Sequence, residues 1–181
     1  MEREQSGGWR RWLMTLPALG LVGLATFLSW AQNRGPSSLV SAISARYPEV
    51  PWVSPEELED LIEKESPTLL DVRTQAEFEV SHIPGAFRVE PEGSIRDLPG
   101  DVPLQEPVVV YCSVGYRSAD WADRLHRARG IRARNLSGGI FEWANTGRPM
   151  EDGEGHRTPK VHPYDQVWGQ WVREEVRAEL E

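Results

Sequence analysis

Strand-like and helix-like stretches alternate through the middle of this chain, which predicts an α/β fold: a mostly parallel sheet with helices on both faces. Three observations carry that prediction. The run Val108–Tyr111 is apolar and bounded by Pro107 before and a polar, glycine-bearing segment after, as a fully buried strand reads, and Ser118–Arg129 behind it reads as a helix. Thr68–Asp71 is a second short buried strand that leads into a charged turn. The only cysteine, Cys112, stands at a strand-to-helix junction, and open parallel sheets bind ligands outside the carboxyl ends of their strands.

Residues 1–31 form the first segment. Arg3, Arg10 and Arg11 precede Trp12–Ala31, twenty residues without a charge, long enough to cross a hydrocarbon core of about 30 Å as a helix. Trp12 and Trp30 at its ends suit the interfacial belt, and the arginines place the N-terminus in the cytoplasm. A cleaved signal is the other reading, because Ser29-Trp-Ala31 has the small residues that a signal peptidase requires. Either a transmembrane anchor or a signal peptide puts the rest of the chain on the extracytoplasmic, periplasmic side. Residues 32–52, with Gly35, Pro36, Pro48 and Pro51, read as a linker.

The folded domain is expected over 53–150. Ser54-Pro-Glu-Glu57 has the Ser, the first-turn proline and the third-position Glu of a capping box, with Val53 and Leu58 placed to form the hydrophobic staple. After Thr68–Asp71, a helix is expected over Thr74–Ser81, a turn at His82-Ile-Pro-Gly-Ala86 and a strand at Phe87–Val89. Glu90–Glu106 is a Pro- and Gly-rich surface excursion anchored by Ile95 and Leu98. Gly130 suits a left-handed helix terminator, and Ala133–Leu136, Gly138-Gly139 and Ile140–Ala144 read as strand, turn and helix. Residues 151–181 are expected to form an acidic linker and an amphipathic helix. Val167, Trp168, Trp171, Val172, Val176 and Leu180 recur at helical spacing, and that face docks on the domain or binds a protein partner.

The 181 residues carry a net charge of −8, which argues against nucleic acid as a partner. One cysteine excludes an internal disulfide framework and a cysteine-rich zinc site, and His82, His126, His156 and His162 lack metal-ligand spacing. No metal or cofactor is expected.

A free cysteine is most often a small buried hydrophobe. At the start of Cys112-Ser-Val-Gly-Tyr-Arg-Ser118, however, a sulfur would face loop amides, the positive end of a helix dipole and Arg117, and each of these favours the thiolate.

The run Asp71-Val-Arg73, Glu77-Phe78, His82-Ile-Pro-Gly-Ala86, Tyr111–Ser118, Leu136-Ser-Gly-Gly-Ile140, Trp143 and Gly147-Arg-Pro149 resembles the rhodanese family of sulfurtransferases. The resemblance spans about Val53–Met150. It implies a five-stranded, largely parallel sheet and a catalytic Cys112 that carries sulfane sulfur as a persulfide from a small donor, thiosulfate or a persulfide, to a thiol or cyanide-like acceptor. It also implies that the loop residues Ser113, Val114, Gly115, Tyr116, Arg117 and Ser118 bind substrate. Backbone amides would hold the sulfur, and Arg117 would attract the anion or brace the loop. Asp71 and Arg73 would support the site by pairing with the loop, Asp71 as a brace rather than a base, with His82 structural. Ser113 and Tyr116 either tune donor choice or face solvent. One alternative is a membrane-tethered sulfur-relay or binding module that depends on a partner. Another is a cysteine phosphatase or arsenate reductase, although four residues separate Cys112 from Arg117 and the phosphatase signature has one more.

Overall fold

The computed structural model of the chain describes residues 35–93, 95, 98, 102 and 104–180. The apolar segment at 12–31 lies outside the described residues, among which no helix is long and apolar enough to cross a membrane.

Five short strands, β1 (Trp52–Val53), β2 (Thr68–Asp71), β3 (Phe87–Arg88), β4 (Val108–Tyr111) and β5 (Arg134–Leu136), form one sheet in the order β1-β5-β4-β2-β3. Every pairing is parallel, with Leu70 opposite Val110 and Val110 opposite Asn135. The helices are α1 (Val40–Arg46), α2 (Pro55–Glu65), α3 (Gln75–Val80), α4 (Tyr116–Arg129) and α5 (Gly139–Asn145).

Residues alternate across the pleat, so each strand feeds two cores. On one face Leu70, Val108, Val110 and Cys112 pack with Trp121, Ala122 and Leu125 of α4 and with Ile43 of α1. On the other, Leu69, Val109, Tyr111 and Leu136 pack with Leu58 of α2 and with Ile140, Phe141 and Trp143 of α5. Helices therefore cover both faces. Burial on both sides is why β2 and β4 read as continuous apolar runs rather than alternating ones.

The local signals act as expected in several places. Ser54 accepts from the Glu57 N–H while Glu57 accepts from the Ser54 N–H, and Pro55 opens α2. Gly130 ends α4 at φ 74°, donating its N–H to the His126 carbonyl. Ile95 is buried and Leu98 packs against the same cluster.

Two segment assignments are corrected. Residues 35–52 are not a linker: a 3-10 turn at Pro36–Leu39 leads into α1, and Ile43, Tyr47 and Val50 are buried in the core. Leu39, Ile43 and Tyr47 are spaced by four, one helical stripe, and the gain from burying that stripe outweighs the flanking glycine and prolines. The segment expected over 151–181 is, in its described residues 151–180, neither a linker nor an amphipathic helix. The Glu151 and His82 backbones exchange hydrogen bonds of 2.8 and 3.0 Å, and the tail then runs through two short 3-10 turns, Trp168–Trp171 and Glu174–Val176. A helix would need the backbone groups that are used elsewhere: Arg173 N–H donates to Asn145 Oδ1, and Val161 bonds to both Val176 and Ala178. Gly169 and three β-branched valines also weaken helix propensity here. The tail's apolar residues still dock, with Val161 and Val172 buried and Trp168 and Trp171 packed beside them.

Candidate active site

Strand β4 delivers Cys112 to a loop that enters α4 at Tyr116. Gly115, the residue before the helix, has φ 106°, a conformation that side chains disfavour, and a Cβ there would lie 3.3 Å from the Trp52 ring. This twist turns the Gly115 N–H onto Cys112 Sγ at 3.2 Å. Of the loop amides expected around the sulfur, this is the one that donates to Sγ among the described residues. The loop is held from behind as well. Its Cys112 and Ser113 carbonyls accept from the Ile140 and Phe141 N–H groups at 2.9 and 3.1 Å, satisfying donors at the start of α5, and Asn135 Nδ2 donates to the Gly115 carbonyl at 2.8 Å.

A residue that sequence reasoning left out of the site ties the loop to α3. Glu77 closes the capping box of α3 by accepting from the Thr74 N–H, and the same carboxylate accepts from Arg117 through both guanidinium NH₂ groups, at 3.0 and 2.8 Å, and from Ser113 Oγ at 2.9 Å. Arg117 also donates to Ser113 Oγ at 2.9 Å. Arg117 is therefore neutralised in place rather than free to attract an anion. Ser113, considered above for donor choice or solvent, is buried inside this network. The sequence signal was Thr74-Gln-Ala-Glu77, a capping-box pattern that reveals the local bond and not the distant one.

Burial pushes the Glu77 carboxyl upward, but the hydrogen bonds and charge of Arg117, the Arg73 charge and the Thr74 amide outweigh it and bring the pKa from 4.5 to about 2. A folded-state pKa below the unfolded one means stabilisation that is complete above the unfolded value and lost as pH falls toward the folded value. That shift corresponds to a contribution on the order of 3 kcal/mol. Urea unfolding of wild type and Glu77→Gln should show a stability gap that narrows by this amount from about pH 5 to about pH 2. A gap that stays constant through the window would mean that Glu77 is not the titrating group.

Asp71 and Arg73 do not pair with the cysteine loop. Both side chains are fully buried and they bind each other, Arg73 Nη2 to Asp71 Oδ2 at 2.6 Å and Nε to Oδ1 at 3.0 Å, while Nη2 also donates to the Ser81 carbonyl at 2.6 Å. The reason is local: Arg73 lies two residues beyond Asp71, so its guanidinium folds back on that carboxylate and under the 81–83 turn. They act on the loop indirectly, through the Arg73 charge on Glu77 and through the loop's neighbour Tyr111, whose ring lies 5.8 Å from the Arg73 guanidinium and whose hydroxyl accepts from the Ile83 N–H. His82 stacks on Phe78 at 3.8 Å and faces Glu151, away from the residues around the sulfur. Ser118 is fully buried in the first turn of α4, and among the described residues its hydroxyl has no hydrogen-bond partner.

Cys112 is 1% exposed, yet it lines a pocket of about 440 Å³. One wall is the loop itself, including Val114 and Tyr116. A second comes from Leu39 with Ala42 and Ile43 of α1, and a third from Tyr164 and Trp168 of the tail. Tyr164 is held at φ 68° with its ring 4.9 Å from the Arg117 guanidinium, and Tyr116 meets Tyr47 edge-on at 6.0 Å. Neither terminal wall was anticipated, because both come from segments taken as a linker and a helix.

Comparisons with known proteins agree with this geometry. A family model described as the rhodanese-like domain matches residues 54–146. The thiosulfate sulfurtransferase GlpE of Actinobacillus pleuropneumoniae serotype 5b (strain L20) is 34% identical over 99 residues, covering 55% of this chain and 91% of that protein. A sulfurtransferase of Allochromatium vinosum is 36% identical over 95 residues, covering 52% of this chain and 88% of the other. The rhodanese-like domain of an Anabaena protein shares the fold, with a TM-score of 0.52 and 24% identity over 62% of this chain and 86% of that one. The parallel sheet, the cysteine at the end of its central strand and the matched 54–146 span thus belong together, and the chain is a member of the rhodanese-like family of sulfurtransferases.

Proposed function

We propose that this chain moves sulfane sulfur through a persulfide on Cys112. In the first half-reaction the thiolate attacks the outer sulfur of a donor, the Sγ–S bond forms, and the donor's S–S bond breaks with its electron pair leaving on the departing group, sulfite when the donor is thiosulfate. In the second, a nucleophilic acceptor such as a thiol or cyanide takes the outer sulfur and returns the thiolate. No oxidant, reductant or metal is consumed, and the cycle is covalent catalysis of the ping-pong kind.

The observation that carries this reading is the setting of Cys112 Sγ: it lines a pocket while accepting the Gly115 N–H at 3.2 Å at the start of α4. An N–H donor and a helix N-terminus both favour negative charge on sulfur, in the thiolate and in the persulfide alike. The phosphatase reading is disfavoured by Arg117. A phosphate would need its guanidinium, and Glu77 already engages both NH₂ groups.

Intact-mass measurement tests the proposal. The purified chain, treated with thiosulfate and freed of excess reagent, should gain the mass of one sulfur atom, and cyanide should remove it as thiocyanate. The gain should be absent from Cys112→Ser. A wild-type chain that stays unmodified, or a gain that persists without the thiol, would sink the reading.

A further inference from the structure

Asn135 is a polar residue at an apolar position. It lies on β5 in register with Val110 of β4 and Trp52 of β1, so the three side chains share the sheet face that α4 covers. Both register partners are apolar in character, and Asn135 is fully buried between them. An aliphatic side chain would fill that position by packing alone. The asparagine instead directs its amide at one atom, donating Nδ2 to the Gly115 carbonyl at 2.8 Å. Packing does not explain what this leaves behind: among the described residues, Asn135 Oδ1 and Trp52 Nε1 are buried without a hydrogen-bond partner. Buried polar atoms in that state destabilise a fold, and natural proteins keep them chiefly where a site requires the arrangement.

What both residues reach is Gly115. The Trp52 ring lies 3.3 Å from the place a Gly115 Cβ would take, while Asn135 shares the Gly115 carbonyl with the Ala119 N–H, which donates at 3.1 Å. Gly115 itself stands at φ 106° and ψ −6°, with its N–H on Cys112 Sγ at 3.2 Å. Glycine has more backbone freedom to lose than any other residue, so a conformation of this kind persists only where its surroundings fix it. With the carbonyl held from β5 and the Cα packed against the ring from β1, Gly115 cannot turn its N–H freely off the sulfur. We infer that Asn135 is a positioning residue for the chemistry at Cys112: it acts through Gly115, holding the N–H donor on Sγ, with the Trp52 ring as the other side of the clamp. The expected effects on rate rest on the sulfurtransferase reading above. The placing of the Gly115 N–H does not.

The test follows two readouts on the full-length chain. The first is the Gly115 amide in proton–nitrogen correlation spectra, whose exchange with deuterium should be about tenfold faster in Asn135→Leu than in wild type. The second is the rate of persulfide loading from thiosulfate, followed by intact mass. It should fall on the order of tenfold in the same variant, because the sulfur's negative charge loses a fixed N–H donor. Asn135→Ala, which cannot overfill the site, should move both readouts in the same direction. Leu58→Ala, a truncation in the opposite core, lowers stability and should leave both near their wild-type values. Gly115→Ala disrupts the clamped conformation directly, so adding Asn135→Leu to it should slow loading by less than about twofold more. A fully additive loss in that double variant overturns the inference, since Asn135 would then act elsewhere. So does a Gly115 amide that exchanges at the wild-type rate in both Asn135 variants, or a Leu58→Ala chain that loads as slowly as they do. A wild type that does not load from thiosulfate overturns the sulfurtransferase reading, and the Gly115 amide then decides this inference by itself.

Discussion

Asp71→Ala is expected to lower the stability of the fold by about 3–5 kcal/mol, the usual cost of removing one partner from a buried ion pair. The penalty comes from what remains. Arg73 is fully buried, and after the substitution its guanidinium would keep the Ser81 carbonyl but lose the carboxylate that accepts from Nε, from Nη2 and from its own backbone N–H. Burial opposes the Arg73 charge, and Asp71 is the main group that offsets it; with Asp71 gone the guanidinium still keeps its proton, as guanidinium groups in proteins do, so a buried charge is left without its counter-charge. Urea denaturation gives the measurement. Asp71→Ala combined with Arg73→Met should recover much of the loss, because an apolar pair of similar bulk needs no counter-charge. A single variant within about 1 kcal/mol of wild type would show that the pair is not the brace described here.

The second large effect is expected at Gly139. Its φ of 59° already disfavours any side chain, and an added Cβ would lie 2.3 Å from the Cys112 carbonyl oxygen and 2.6 Å from that of Ser113. These are backbone atoms of the cysteine loop, and they accept the Ile140 and Phe141 N–H groups. Gly139→Ala must therefore push the loop away from α5 and displace Sγ from the Gly115 N–H. Misplacement of a reacting group by about 1 Å can cost on the order of 100-fold in rate, and a loss of that size is expected in persulfide loading. Gly147→Ala provides the control: it has a similar φ of 76°, but a Cβ there meets nothing within 4 Å. That variant should show the conformational cost in its melting temperature and little change in loading. If Gly139→Ala loads within about threefold of wild type, the contact with the loop is not what holds the sulfur in place.

What could be read from the sequence was whatever the backbone decides locally. The capping box at Ser54, the two apolar strands around Leu70 and Val110, the left-handed stop at Gly130 and the place of Cys112 at a strand-to-helix junction all depend on neighbours within a few residues. What could not be read depends on distant partners. Glu77 shows itself as a capping residue, but its bond to Arg117 spans 40 positions. The Gly138-Gly139 turn was legible as a turn, whereas the carbonyls it must clear belong to another strand's loop. Leu39, Ile43 and Tyr47 carried a helical stripe that the surrounding prolines and glycine masked. In the tail the reverse occurred: helical spacing at Val167–Leu180 was real, but side-chain and backbone bonds to Asn145 and Val161 claimed the groups a helix would have used.

The near-complete enclosure of Cys112 has a consequence for its chemical company. With 1% of the residue exposed, two folded copies cannot bring their sulfurs to the roughly 2.0 Å of a disulfide. Chance encounters with thiols on other folded surfaces are excluded by the same geometry. The pocket on which Sγ opens is lined in part by Leu39, Ala42, Ile43, Tyr164 and Trp168, all outside the span matched by the family domain, so the surroundings of the thiol are set by segments that the family motif does not include.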